Sequence, residues 1–324
     1  MRPAKILTLL LILCAFSATP ALAANAGWPK SLTIGTASPG GLYLPYGQFL
    51  AKLWSQTLGI PVDAIATQGP VHNIKLLDLG AAQIGMTTMG IALQGWNGTG
   101  DWTKDKRYRN MRALFPMYDT PFQAVVLRRS NITMLQQLDK RCIEVGPRAG
   151  TGGTYVPNIM KLLRLTVQVK NGPLDDLSNQ LLSGQCDADA TMTGAPNPAL
   201  RRAETKEPLT FLPITHEQIS TVLQAVPELS PSTIPAKTYV SLTEDYDTFG
   251  VYNFAIVRAD LPDDLVYQLT KVLFENLPAL THEIPTASDT IPKNVSKDTF
   301  LPLHPGAIRY YREIGISIPA NLIP

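Results

Sequence analysis

The chain contains one unusual stretch twice. Residues 34–50, IGTASPGGLYLPYGQFL, and residues 145–160, VGPRAGTGGTYVPNIM, both run from an apolar segment through a Gly-Gly pair to a tyrosine and a proline. A strand-like segment precedes the glycines and a helix-like apolar period follows them. Glycines let a backbone approach a ligand closely, and the free amides of a helix start attract anions. Tight turns alone would explain either loop, but the duplication favours two binding loops that face each other.

The segments around the two loops follow the same order, in which strands alternate with helices. The strand-like segments are residues 32–34, 62–66, 83–86, 142–145, 166–170 and 186–191. Such alternation is typical of parallel sheets flanked by helices. We therefore predict an α/β fold with two lobes of similar topology, each a mostly parallel sheet.

Two apolar, β-rich segments are expected to connect the lobes as extended crossings. They are LFPMYDTPFQAVVL at residues 114–127 and TFGVYNFAIVR at residues 248–258. The predicted division assigns residues 31–119 and 258–324 to lobe 1 and residues 120–257 to lobe 2.

The amino terminus has the pattern of an export signal. Arg2 and Lys5 precede an apolar run, and Ala21-Leu22-Ala23 matches a cleavage site, so residues 1–23 are predicted to be a signal peptide cut after Ala23. Without it, acidic and basic side chains are equal in number. This balance argues against nucleic-acid or anionic-membrane partners. We expect a periplasmic protein, most simply a monomer, that needs no cofactor.

Cys142 and Cys186 are the cysteines that follow the signal. In an exported protein they are candidates for a disulfide, with two free buried thiols as the alternative. The first and third strands of a doubly wound unit lie side by side, which would bring both residues to the starts of adjacent strands. We predict a Cys142–Cys186 bridge.

Several side chains near the loops are candidate ligand contacts. Ser38, Tyr43, Thr151 and Thr154 would supply neutral donors, and Arg148 is a cation that could hold a carboxylate through two hydrogen bonds. A solvated arginine is the alternative. The four histidines are scattered, and the sequence contains no P-loop, dinucleotide fingerprint or nucleophile elbow. Enzyme activity is therefore not expected.

Taken together, IGTASPGGLYLPYG, ATQGPVHNIKLL, GAAQIGM, VGPRAGTGGT, GQCDADATMTGAPNP and LPDDLVYQLTKVLFEN resemble the TAXI family, the extracytoplasmic solute receptors of one branch of TRAP transporters. The resemblance implies a two-lobed periplasmic-binding-protein fold of type II. It also implies a ligand such as glutamate, 2-oxoglutarate or another small carboxylate, and delivery to an ion-driven permease. The cleft residues that it implies are Ser38, Gly40, Gly41, Tyr43, Gly69, Asn73, Thr88, Thr151, Gly152, Gly153, Thr193 and Pro196.

The chain departs from the family pattern in three places. Pro70 stands where serine is common, the second loop reads Thr-Gly-Gly-Thr at 151–154 where Ser-Gly-Thr is usual, and Thr88 occupies a position that is often glutamine. A changed solute is a possible consequence. The alternatives to a TRAP receptor are a receptor for an ABC importer or a sensor, an exported enzyme, and a structural surface protein.

Overall fold

The computed structural model describes residues 27–324 and contains ten strands, ten α-helices and five short 3-10 helices in that range. The predicted signal peptide and its cleavage site lie outside the described residues. Among the helices from residue 27 onward, none is both long and apolar enough to cross a membrane.

Strands and helices alternate along most of the chain. The strands are β1 (Leu32–Gly35), β2 (Val62–Ile65), β3 (Ile84–Thr88), β4 (Met111–Leu127), β5 (Cys142–Glu144), β6 (Gln168–Lys170), β7 (Ala188–Met192), β8 (Leu209–Phe211), β9 (Ser230–Ile234) and β10 (Tyr246–Arg258). The α-helices are α1 (Tyr43–Leu58), α2 (Pro70–Asp78), α3 (Met89–Asn97), α4 (Thr151–Leu162), α5 (Leu174–Ser183), α6 (Pro198–Glu204), α7 (His216–Ala225), α8 (Asp263–Glu275), α9 (Leu277–Glu283) and α10 (Pro305–Glu313).

The strands are hydrogen-bonded in the order β2-β1-β3-β10-β4-β7-β5-β6, with β8 beside β4 and β9 beside β10. β1 pairs in parallel with β2 and β3, and β5 pairs in parallel with β6 and β7. Each parallel half begins with a strand, a glycine loop and a helix. These halves are the two predicted α/β lobes.

β4 and β10 are the two predicted crossings. They pair antiparallel with each other, and β10 also pairs with β3 of the first lobe. β4 pairs with β10 as far as Pro121 and with β7 of the second lobe from Phe122 onward. The change of partner lies next to residue 120, where lobe 2 was expected to begin. The exact lobe limits stay a prediction.

One strand is longer than the sequence predicts. The strand-like segment 83–86 continues through Thr88 in β3, because β10 pairs with it as far as Asn253. Nearby, α2 begins at Pro70, since proline fits the first turn of a helix, where its missing N–H has no partner to lose.

The helix that follows the first glycine loop is anchored deeply. Tyr46, Leu50 and Trp54, spaced four residues apart, are fully buried. The Trp54 indole N–H also donates to the carbonyl of Leu269 in α8 at 3.0 Å. The C-terminal part of the chain thus holds α1, and with it the first loop, in place.

Cys142 and Cys186 form a disulfide, as predicted, with their Cα atoms 5.0 Å apart. Cys142 begins β5, and Cys186 lies just before β7, the parallel neighbour of β5. The strand-order argument is therefore confirmed. The bridge joins the ends of β5 and β7 that lie opposite the glycine loop.

Candidate functional site

The two glycine loops meet at a cavity of about 60 Å³ between the lobes. The start of α2 and parts of β4, β7 and β10 complete its wall. The duplicated loops thus converge, as the sequence predicted. The predicted site residues that line the cavity are Ser38, Gly41, Tyr43, Gly69, Thr151, Gly152 and Thr193.

The first loop brings the uncapped start of α1 to the cavity. Gly40 adopts φ 93°, and a β-carbon there would lie 2.5 Å from the amide nitrogen of Asp175 in the other lobe. α1 has no side-chain cap and no acidic residue in its first turn. Within residues 27–324, the N–H groups of Tyr43 and Leu44 have no hydrogen-bond partner. Of these two residues Tyr43 lines the cavity, so its N–H is available to a ligand there.

The second loop likewise brings the uncapped start of α4 to the cavity. Its N-cap is Gly150, which has no side chain with which to cap the helix. The N–H groups of Thr151, Gly152 and Gly153 have no partner in the described part of the chain. A β-carbon on Gly152 would lie 2.3 Å from the carbonyl oxygen of Val145, so glycine is needed to start the helix this close to β5. Unpaired amides and the helix dipole both favour an anion here.

A third helix, α2, also begins at the cavity. Its N-cap, Gly69, adopts φ 100° and lines the wall together with Pro70. The Val71 N–H donates across the cleft to the carbonyl of Ala149, at 3.1 Å. The TAXI resemblance implied Gly69 as a site residue, but the sequence contains no sign that the start of α2 touches the second loop.

The polar side chains of the wall are neutral. The Ser38 hydroxyl is buried without a partner among the described residues. The Tyr43 hydroxyl donates to Asn253 Oδ1 at 2.5 Å, and Asn253 Nδ2 donates to the carbonyl of Tyr118 at 2.6 Å. Burial raises the pKa of Tyr43 and Tyr118 well above the ordinary tyrosine value, so both keep their protons at neutral pH.

Sequence reasoning missed Asn253, Tyr118 and Thr120, which all line the cavity. They come from the crossing strands β10 and β4. Asn253 also donates to the Thr120 hydroxyl at 2.5 Å, so the three residues form one hydrogen-bonded wall. For Asn253 the sequence did contain a signal, because this polar residue stands within an otherwise apolar strand segment.

The cavity wall contains no Asp, Glu, Lys, Arg or His from the described residues. Arg148, the predicted cation, is exposed and lies in a separate outer hollow of about 610 Å³ together with His72. Ser38 and Gln68 line both spaces. The outer hollow is therefore next to the cavity, and Arg148 stands outside it.

Asn73, another predicted contact, is fully buried beneath the loops and does not line the cavity. Its Nδ2 donates to the carbonyls of Thr36 and Met86 at 2.7 and 2.8 Å, and its Oδ1 accepts from the Thr67 hydroxyl at 2.8 Å. These bonds tie α2 to β1 and β3. Asn73 thus supports the loops from behind.

Five further predicted residues also lie away from the cavity wall. Thr88 ends β3 and is buried, and the Thr154 hydroxyl donates to the Gly150 carbonyl at 2.8 Å. Gly153 packs against the backbone of the second loop. Gly40 and Pro196 line a separate outer groove of about 420 Å³. None of these five residues is part of the cavity wall.

Direct contacts hold the lobes together around the cavity. Besides the Val71–Ala149 bond, the Ala199 N–H of α6 donates to the carbonyl of Gly40 at 3.2 Å. In addition, Gln94 Nε2 of α3 donates to the Tyr155 hydroxyl of α4 at 3.1 Å. The lobes are therefore closed in this structure.

Two buried carboxyl groups lie near the second loop. Glu144 and Asp189 are register partners on β5 and β7, both are fully buried, and their oxygens have no hydrogen-bond partner within residues 27–324. Burial raises the pKa of Glu144 to about 9, with the neighbouring charge of Asp189 adding to the shift. Burial raises the pKa of Asp189 to about 7. Neutral carboxyl groups are favoured here.

Solved structures of other proteins share this architecture, and two of them serve as examples. MatC from Rhodopseudomonas palustris, solved with bound malate, has a TM-score of 0.58 at 12% identity, over 88% of this chain and 97% of MatC. A protein described as a periplasmic transporter has a TM-score of 0.54 at 11% identity, over 88% of this chain and 92% of its own. At such identities the similarity concerns the fold, and it confirms the two-lobed periplasmic-binding-protein fold.

The amino-acid sequence matches a protein family, which is a more specific relationship than a shared fold. The profile of the NMT1-like family matches residues 34–315, which include both glycine loops and both crossings. The narrower TAXI resemblance stays a prediction. This chain belongs to the NMT1-like family.

Proposed function

We propose that this protein is an extracytoplasmic solute receptor that captures a small carboxylate between its lobes. The observation that carries the proposal is the meeting of three uncapped helix starts, from α1, α2 and α4, at one cavity between the lobes. The free amides of α1 and α4 supply donors from both lobes. A carboxylate satisfies such donors and interacts favourably with the helix dipoles.

Capture depends on closure of the lobes. A ligand that bonds to α1 in one lobe and α4 in the other makes all its contacts only when the lobes are closed. Binding therefore shifts the population toward the closed form. The contacts Val71–Ala149 and Ala199–Gly40 join the lobes in that form. These contacts add to those that the ligand makes with both lobes and do not replace them.

The receptor delivers its solute to a TRAP-type permease driven by an ion gradient. The TAXI-like motifs support this assignment, and an ABC importer is the alternative partner. Export to the periplasm is supported by the Cys142–Cys186 disulfide, because such bonds persist in oxidising compartments. The malate bound by MatC is consistent with a carboxylate ligand. We propose binding without turnover.

Thermal unfolding of the mature protein, residues 24–324, tests the capture step. At a ligand concentration one hundred times Kd, binding adds about 2.7 kcal/mol to the free energy of unfolding. Short monocarboxylates, keto acids, dicarboxylates and amino acids form the panel, with the matching amides as uncharged controls. Stabilisation by at least one carboxylate supports the proposal. Stabilisation by none of them contradicts it.

Transport by the reconstituted permease tests the delivery step. Vesicles that contain a purified candidate permease would be supplied with the loaded receptor. Uptake that requires a sodium or proton gradient supports the TRAP assignment. Uptake that requires internal ATP would assign the receptor to an ABC importer.

A further inference from the structure

The cavity provides partners for one negative charge only. Each helix start carries about half a positive charge, so α1 and α4 together balance about one carboxylate. The wall formed by the described residues holds no cation for a second one. Much of the remaining wall is apolar, with Leu42, Val145, Leu174 and Met192 among its residues. A second carboxylate would be desolvated against this surface without a partner.

An ammonium group fares no better. It needs an anionic partner, and no carboxylate lines the cavity within residues 27–324. The Ser38 hydroxyl can accept a hydrogen bond but carries no charge. The side-chain oxygen of Asn253 already accepts the Tyr43 hydroxyl at 2.5 Å. A buried charge of either sign is strongly unfavourable when it has no partner.

Resting on the proposed receptor function, we infer that the solute is a short carboxylate with a single negative charge and no ammonium group. The volume supports a short chain. The cavity of about 60 Å³ is much smaller than the outer hollow of about 610 Å³, so it suits a short ligand. Glutamate and 2-oxoglutarate, the ligands implied by the TAXI resemblance, carry charges that this wall does not pair.

Arg148 does not change this conclusion. It is exposed in the outer hollow, where water screens its charge, and does not line the cavity. A solvated cation at the entrance attracts anions and speeds their arrival. It leaves a second carboxylate inside the cavity unpaired.

Isothermal titration with size-matched ligands tests the inference. Succinamate and succinate have nearly the same shape, and differ in that an amide replaces one carboxylate. We expect succinate to bind at least about 100-fold more weakly than succinamate, the loss that an unpaired buried charge brings. Likewise, 2-aminobutyrate should bind more weakly than 2-hydroxybutyrate. Equal or tighter binding of succinate overturns the inference but leaves the receptor function standing.

A cation placed at the cavity rim gives a second, independent test. Gln68 is exposed and lines both the cavity and the outer hollow, so Gln68→Arg introduces a charge without burying it. The preference for succinamate over succinate should fall by at least about tenfold, because the new cation pairs with the second carboxylate. Gln136→Arg, at an exposed position remote from the cavity wall, is the matched control. If the preference for succinamate over succinate changed equally in Gln68→Arg and Gln136→Arg, the inference would be overturned.

Discussion

The Cα atom of Gly150 lies 3.1 Å from the position that a β-carbon on Gly69 would occupy. Gly69 is the N-cap of α2 in one lobe, and Gly150 is the N-cap of α4 in the other. Two helix starts therefore touch through bare backbone at the edge of the cavity. No larger residue at position 69 would permit the same approach.

Gly69→Ala should therefore weaken ligand binding by at least about tenfold, because the new methyl group opposes closure. It should also cost about 1 kcal/mol of folding stability, since φ 100° strains an alanine. Gly59→Ala separates the two effects, because Gly59 also has positive φ but faces open space. Titration measures the ligand affinity of both variants, and chemical unfolding measures their folding stability. Equal affinities in the two variants would mean that the contact does not govern closure.

Asn73→Ala should destabilise the fold by about 3 kcal/mol, because it leaves the buried carbonyls of Thr36 and Met86 without their donor. Affinity should change by less than about threefold, since Asn73 lies outside the cavity wall. Urea unfolding and titration of the folded variant measure both quantities. A large loss of affinity with unchanged stability would instead make Asn73 a ligand contact.

Stability should decrease as the pH rises from about 4 to 9. The raised pKa values of Glu144 and Asp189 mean that the folded state binds more protons than the unfolded state in this range. The free energy of unfolding then falls with pH until the folded-state pKa values are passed. Glu144→Gln should flatten this dependence, whereas Glu244→Gln, at an exposed site, should leave it unchanged. If the free energy of unfolding of Glu144→Gln still fell as steeply with pH as that of the wild type, Glu144 would not be the group responsible.

Arg148→Ala should leave the equilibrium affinity within about threefold of the wild type, because Arg148 stands outside the cavity. Association at low salt should slow, since an exposed cation guides anions toward the entrance. Stopped-flow binding at two salt concentrations resolves the two effects, with Lys161→Ala as a control for net charge. A tenfold loss of affinity at high salt would place the guanidinium on the ligand.

The glycine loops and the disulfide were predictable because their signals are local or follow from strand order. A strand, a Gly-Gly turn and a helix in direct succession place the loop at the carboxyl edge of a parallel sheet. The same rule makes β5 and β7 neighbours and brings Cys142 and Cys186 together.

The crossing residues were not predictable in the same way. Asn253 reaches Tyr43 over 210 residues of sequence, and only the folded sheet brings β10 to the start of α1. Asn73 and Arg148 lie away from the cavity wall for a different reason. Their residue types suited a carboxylate, but the direction of a side chain within a loop or first helical turn is set by packing. Asn73 turns inward to buried carbonyls, and Arg148 turns outward to water.

Removal of a single main-chain donor tests the central claim most directly. Thr151 is the first residue of α4, a position that accepts proline, and its N–H is free within the described residues. Titration with succinamate should show Thr151→Pro binding at least about tenfold more weakly than Thr151→Ala, the loss of one hydrogen bond to a charged group. His216→Pro, at the start of α7, should bind as the wild type does. Equal affinities of Thr151→Pro and Thr151→Ala would contradict recognition through the helix amides.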